Sequence, residues 1–79
     1  MQIISKNECI SLIQSKRPYS KISIIQDYNK EERDISQVLG CIENSSFIYT
    51  DASTTDTYIT MDIHFKEEGK DKIARVLLI

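Results

Sequence analysis

Tryptophan is absent from this 79-residue chain, and proline (one), histidine (one), glycine (two) and cysteine (two) are scarce. So little glycine and proline excludes collagen-like and low-complexity disordered chains. With 41% hydrophobic and 28% charged residues, the composition is that of an ordinary globular protein. A chain of this length buries only about 60–65% of its unfolded surface. That leaves room for one core, and a single domain over residues 1–79 is expected.

The cysteines, Cys9 and Cys41, have no CxxC partner and no histidine at metal-ligand spacing, so no metal or other cofactor is expected. Both fall in stretches that read as helices, as reduced core thiols or, alternatively, as a pair. No apolar run approaches the ~20 residues of a membrane span. Met1 is not followed by a charged n-region, a long apolar segment and a small-residue cleavage site, so a cytoplasmic location without membrane contact is expected.

A short strand at Ile3-Ile4 is followed by Ser5-Lys6-Asn7-Glu8, a capping box with Ser5 as N-cap and Glu8 at the third helical position. The first helix runs to about Lys16, with Cys9, Ile10, Leu12 and Ile13 on one stripe. β-Branched Lys21–Gln26 reads as a strand. A second helix is expected from Asn29, which can cap it. Glu31 and Glu32 suit its N-terminal end, and Ile35, Val38, Leu39 and Ile42 keep the helical register. Phe47–Thr50 reads as a strand and Asp51–Asp56 as a polar loop.

From Thr57 to Lys66 the residues alternate, with Ile59, Met61, Ile63 and Phe65 on one face and Tyr58, Thr60, Asp62 and His64 on the other. Glu67–Asp71 is then a hairpin turn into a last strand, Lys72–Ile79, apolar enough to lie inside the sheet. The fold class is α+β: a mainly antiparallel sheet of four to five strands with two helices packed on it.

Catalysis finds no foothold. His64 has no serine or cysteine beside it in a nucleophile pattern and reads as a surface or partner-contacting residue. Adjacent pairs such as Glu31-Glu32 and Glu67-Glu68 splay apart rather than act together. The phosphate-loop, dinucleotide and HExxH motifs are all missing. The chain is therefore read as a non-enzyme without a small-molecule substrate. A net charge of −2 and scattered basic residues also give no footprint for direct nucleic-acid binding.

The distribution of charge says more than its sum. Between Arg33 and Lys66 there is no Lys or Arg, while Asp34, Glu43, Asp51, Asp56 and Asp62 all fall in that interval among Ser and Thr hydroxyls. Such a surface offers negative charge and hydrogen-bonding oxygens to a protein that otherwise meets phosphate. The plainer reading is a solubilising face.

Several short motifs add to this. Ile24-Ile25-Gln26-Asp27 ends a strand, Ile35 to Gly40 closes Val38-Leu39-Gly40, Phe47-Ile48-Tyr49-Thr50 precedes the Ser/Thr/Asp loop 51–56, and Gly69 to Ile73 forms a final hairpin. In this order, over about residues 10–60 plus the hairpin, they resemble the phage-encoded uracil-DNA glycosylase inhibitor family.

The resemblance implies a DNA-mimicking inhibitor whose partner is a DNA-binding enzyme. Its acidic edge would be Gln26, Asp27 and Asp34, with Gln37, Asp51, Asp56 and Asp62 also offered to the partner. Ile35, Val38 and Leu39 would line an apolar cavity that captures an apolar side chain of the enzyme. Two alternatives remain open: an inhibitor of another bacterial defence or toxin protein, and a DNA-contacting regulator using Lys16, Arg17 and Lys21.

Overall fold

A computed structural model describes residues 2–15, 21–44 and 46–78, without the side chains of Lys21 and Ser46. Helix α1 spans Lys6–Ser15. The backbone N–H of Glu8 donates to Ser5 Oγ at 3.2 Å, satisfying one of the free donors of the first turn as the sequence predicts. Cys9 and Ile13 are the buried members of its stripe.

Helix α2 spans Ile35–Asn44. Its start differs from the expected one: Asn29 is not the cap. Gln37 Oε1 accepts from the backbone N–H of Asp34 at 3.0 Å, the reciprocal half of a capping box with Asp34 at the N-cap.

Residues 29–34, expected in the helix, form a strand instead. β2 (Lys21–Gln26) and β3 (Asn29–Asp34) make an antiparallel hairpin in full register from Gln26↔Asn29 to Lys21↔Asp34. Asp27, at φ 53°, supplies the left-handed residue that turns the chain so tightly. Once that turn forms, six successive ladder pairs with β2 outcompete one extra helical turn of NKEERD. An edge strand also tolerates such charge, because only one of its sides is paired.

The remaining strands are β1 (Gln2–Ile4), β4 (Ser46–Thr54), β5 (Ile59–Glu67) and β6 (Lys70–Leu78). β4 therefore extends through Asp51–Thr54, which the polar composition had suggested was loop. Its residues pair with β5 out to Thr54↔Ile59, and Thr55 closes the connection with its N–H and Oγ1 both on the Tyr58 carbonyl, at 2.8 and 3.1 Å. The expected four to five strands become six, in the order β1-β4-β5-β6-β2-β3, with every neighbouring pair antiparallel. The class, α+β with two helices, is as expected.

The β5–β6 hairpin turns on Glu68 (φ 55°) and Gly69 (φ 76°), the double positive φ of a two-residue turn matched to strand twist. β6 lies inside the sheet between β5 and β2, as its apolar run predicts. Both helices seat on one face, where Ile22, Ile24, Val38, Ile42, Met61, Ile63, Phe65, Val76 and Leu78 form a single core. Among the described residues, no helix is long and apolar enough to cross a membrane.

Candidate functional site

Because side chains alternate along a strand, the register fixes what the uncovered face displays. One row across it runs Ile3, Asp51, Asp62, Arg75, Ser23 and Glu32; the next runs Tyr49, His64, Ile73, Ile25 and Lys30. Among the described residues, neither α1 nor α2 covers these side chains, since both helices seat on the other face. Hydroxyls, carboxylates and isoleucines therefore share a surface that the fold leaves open.

The face is not flat. A concavity of about 390 Å³ is lined by Ile25, Asp27, Ile48, Tyr49, His64 and Ile73, with Asp71 and Lys72 at its margin. The Tyr49 and His64 rings stack with centroids 4.2 Å apart and planes 18° from parallel. They meet because a bulge at Ile48, between Phe47 and Tyr49, resets β4 so that Tyr49 falls opposite His64. The same bulge leaves Ile48 46% exposed beside the cavity. A second hollow of about 380 Å³ follows Thr60, Asp62, Arg75 and Leu77 along β5 and β6.

Charge on this face is present but loosely held. Asp51 and Asp62 lie directly opposite each other, an arrangement that repels. Each has a cationic or ionisable neighbour: His64 Nε2 at 3.4 Å from Asp51, and Arg75 Nε at 3.3 Å from Asp62. The His64 contact is too poorly aligned for a hydrogen bond, and this solvent-shielded nitrogen has no hydrogen-bond partner. Lys66 stands 4.0 Å from Asp71, both largely exposed.

The helix side carries a different cluster. Arg33 grips Glu67 with both terminal guanidinium nitrogens, at 2.9 and 2.7 Å, and Lys72 Nζ reaches the same carboxylate at 2.7 Å. Those bonds, Arg33 first, hold the Glu67 carboxyl well below the usual carboxylate range. Arg33 also meets Glu31 at 2.6 Å and Cys41 Sγ at 3.0 Å.

Cys41 is a free thiol donating to Glu67 at 3.2 Å, and burial followed by that carboxylate pushes its pKa up. A raised pKa disfavours the thiolate that nucleophilic or metal chemistry needs. Cys9 is likewise free, and burial raises it despite the Thr50 hydroxyl alongside. Among the described residues, no group of three or more His, Cys, Asp or Glu side chains is arranged to hold a metal ion.

The seven polar residues expected to meet a partner divide by position. Asp27 lines the cavity beside the Tyr49–His64 stack, and Asp51 and Asp62 share the open face. Asp34 closes the opposite end of the β2–β3 hairpin from Asp27, about 20 Å away at ~3.3 Å per residue. Gln37 is engaged at the start of α2. Asp56 is exposed in the β4–β5 connection, and Gln26, half-buried, alternates with Ile25 and so faces the helix side.

Ile35, Val38 and Leu39 do come together, as the stripe seating α2 on the sheet: Val38 is 1% exposed, and the other two pack against the core. They lie on the face opposite Asp51 and Asp62. Lys16 and Arg17 fall outside the described residues, as does the side chain of Lys21. The Tyr49–His64 stack was not visible in sequence, because it depends on cross-strand register. No protein-family model, curated protein or solved structure matches this chain.

Proposed function

We propose that this is a non-catalytic cytoplasmic protein that inhibits a DNA-acting enzyme by docking the open face of its sheet into the enzyme's basic groove. The observation that carries the reading is the carboxylate row on an uncovered surface: Asp51 opposite Asp62, Glu32 across the same row, and Asp27 at the neighbouring cavity. Two carboxylates facing each other weaken a sheet in isolation, and a basic partner relieves that repulsion.

The sequence resemblance makes uracil-DNA glycosylase the first target to assay. Added in excess to the enzyme on a uracil-containing duplex, the protein is expected to suppress uracil release; unchanged release rejects this target. The double substitution Asp51→Lys with Asp62→Lys should abolish suppression with the fold retained by circular dichroism, whereas Asp27→Lys with Asp34→Lys tests the ends of the hairpin separately.

A second reading takes support from the interleaved cations. Asp62–Arg75 and Lys66–Asp71 make the face mixed rather than uniformly acidic, which suits a bacterial defence or toxin protein of mixed surface charge. Inhibition that survives both double substitutions would favour it.

A further inference from the structure

The cavity beside the Tyr49–His64 stack carries chemistry that a carboxylate row alone does not. Its floor is apolar and aromatic, from Ile25, Ile73, Tyr49 and His64, and its rim bears the carboxylates of Asp27 and Asp71. Among the described residues, Asp27 has no ion-pair partner, and Asp71 has only the distant Lys66 at 4.0 Å. Lys72 also borders the space, but its ammonium is committed to Glu67 at 2.7 Å on the other side of the sheet. At about 390 Å³ the hollow sits near the lower end of ligand-site volumes, which run from about 300 to 1,000 Å³. It suits one long side chain.

Asp27 stands at the left-handed turn position of the β2–β3 hairpin, which brings its carboxylate to the end of the strand that carries Ile25.

Each feature selects against an alternative occupant. The two rim carboxylates repel phosphate and carboxylate ligands and gain nothing from a purely apolar side chain. Stacked planar rings favour a planar, delocalised cation over a compact, strongly hydrated ammonium.

We propose that the cavity receives an arginine side chain of the partner protein, its stem along Ile25 and Ile73 and its guanidinium over Tyr49 and His64, within reach of Asp27 and Asp71. This rests on the reading that the open face docks a protein, and it names the anchor of that docking.

The test uses N-acetyl-arginine methylamide titrated into the isotopically labelled protein, with the lysine and leucine analogues in parallel. Saturable NMR shifts are expected at the Tyr49 and His64 rings and the Ile73 methyls with the arginine analogue. The lysine analogue should bind more weakly, and the leucine analogue should leave these signals in place. Asp27→Asn should weaken the arginine response roughly two- to fivefold, the scale of one exposed ionic contact. Tyr49→Leu, conservative in volume at a half-exposed site, should remove the preference over lysine.

Equal shifts with the leucine analogue would make the cavity an apolar anchor and overturn the proposal, as would shifts absent from these residues with all three. No enzyme enters this experiment. A failed glycosylase assay therefore leaves it intact, and its own failure leaves open-face docking standing.

Discussion

On the helix-covered side of the sheet, Glu67 receives Arg33 at 2.7 and 2.9 Å and Lys72 at 2.7 Å. On the open side, the corresponding pairs stand at 3.3 Å for Asp62–Arg75, 3.4 Å for His64–Asp51 and 4.0 Å for Lys66–Asp71. The first set is shielded and saturated, so an incoming partner has nothing to improve. In the second, Asp62–Arg75 and Lys66–Asp71 are exposed and His64–Asp51 is shielded but without a hydrogen bond, so these charges can turn to new neighbours at little loss. Tight ionic geometry here marks structure, and loose geometry marks a surface free to be used.

The largest expected difference between the faces is in packing. Phe65, fully buried under the helices, should lose about 3–5 kcal/mol on substitution by alanine, the range for emptying a core aromatic site. Leu77→Ala on the open face should lose under ~1 kcal/mol, because little of its surroundings collapses or empties. Urea unfolding of the two variants measures both. A comparable loss at Leu77 would mean that this face is already covered in solution.

Next in size is Arg33→Ala. It leaves a half-buried Glu67 carboxylate with only Lys72 and the Cys41 thiol and should lose about 1–3 kcal/mol. Because Arg33 and Lys72 lower the Glu67 pKa from its ordinary 4.5, their stabilisation is complete only well above that value. It fades as pH falls below about 5 and the carboxyl is protonated in the unfolded chain first. Denaturation at pH 7 and pH 3 should therefore show a smaller acid loss in Arg33→Ala than in the parent. An equal loss would place the acid sensitivity elsewhere.

The smallest effect has the opposite sign. Asp27→Gly removes a side chain from a left-handed backbone position and should raise stability by a few tenths to ~1 kcal/mol. The same change should weaken any partner held at the cavity. A gain in melting temperature together with weaker docking would mark Asp27 as retained for binding rather than for folding.

What the sequence revealed follows from how local each signal is. The Ser5 cap and the last hairpin turn act within a few residues, and both are legible in the chain, although the turn is tighter than the Glu67–Asp71 expected: it occupies Glu68-Gly69, and β6 begins at Lys70 rather than Lys72. The start of α2 is misread because Asn29, Glu31 and Glu32 satisfy helix-capping rules as well as any true cap. What overrides them is pairing with β2 and the reach of Arg33 to Glu67, 34 positions away. Asp27 is legible as the end of a strand. Tyr49 and His64 are not legible as a pair, since the bulge at Ile48 sets which residues face one another.

The strand order carries a consequence for how the chain assembles. The hairpin β2–β3 and the meander β4–β5–β6 are each built from neighbours in sequence, and the sheet joins them at one seam, where Ser23, Ile24 and Ile25 meet Arg75, Ala74 and Ile73. Ile24 and Ala74 stand 50 positions apart (74 − 24), so this seam closes the longest loop between the two units and should form late and open early. Ile25 and Ile73, the floor of the cavity, straddle it. Whatever occupies that cavity touches both halves at once, and by binding only the closed form it would slow their separation and raise the amide protection of Ile24 and Ala74 above that of the free protein.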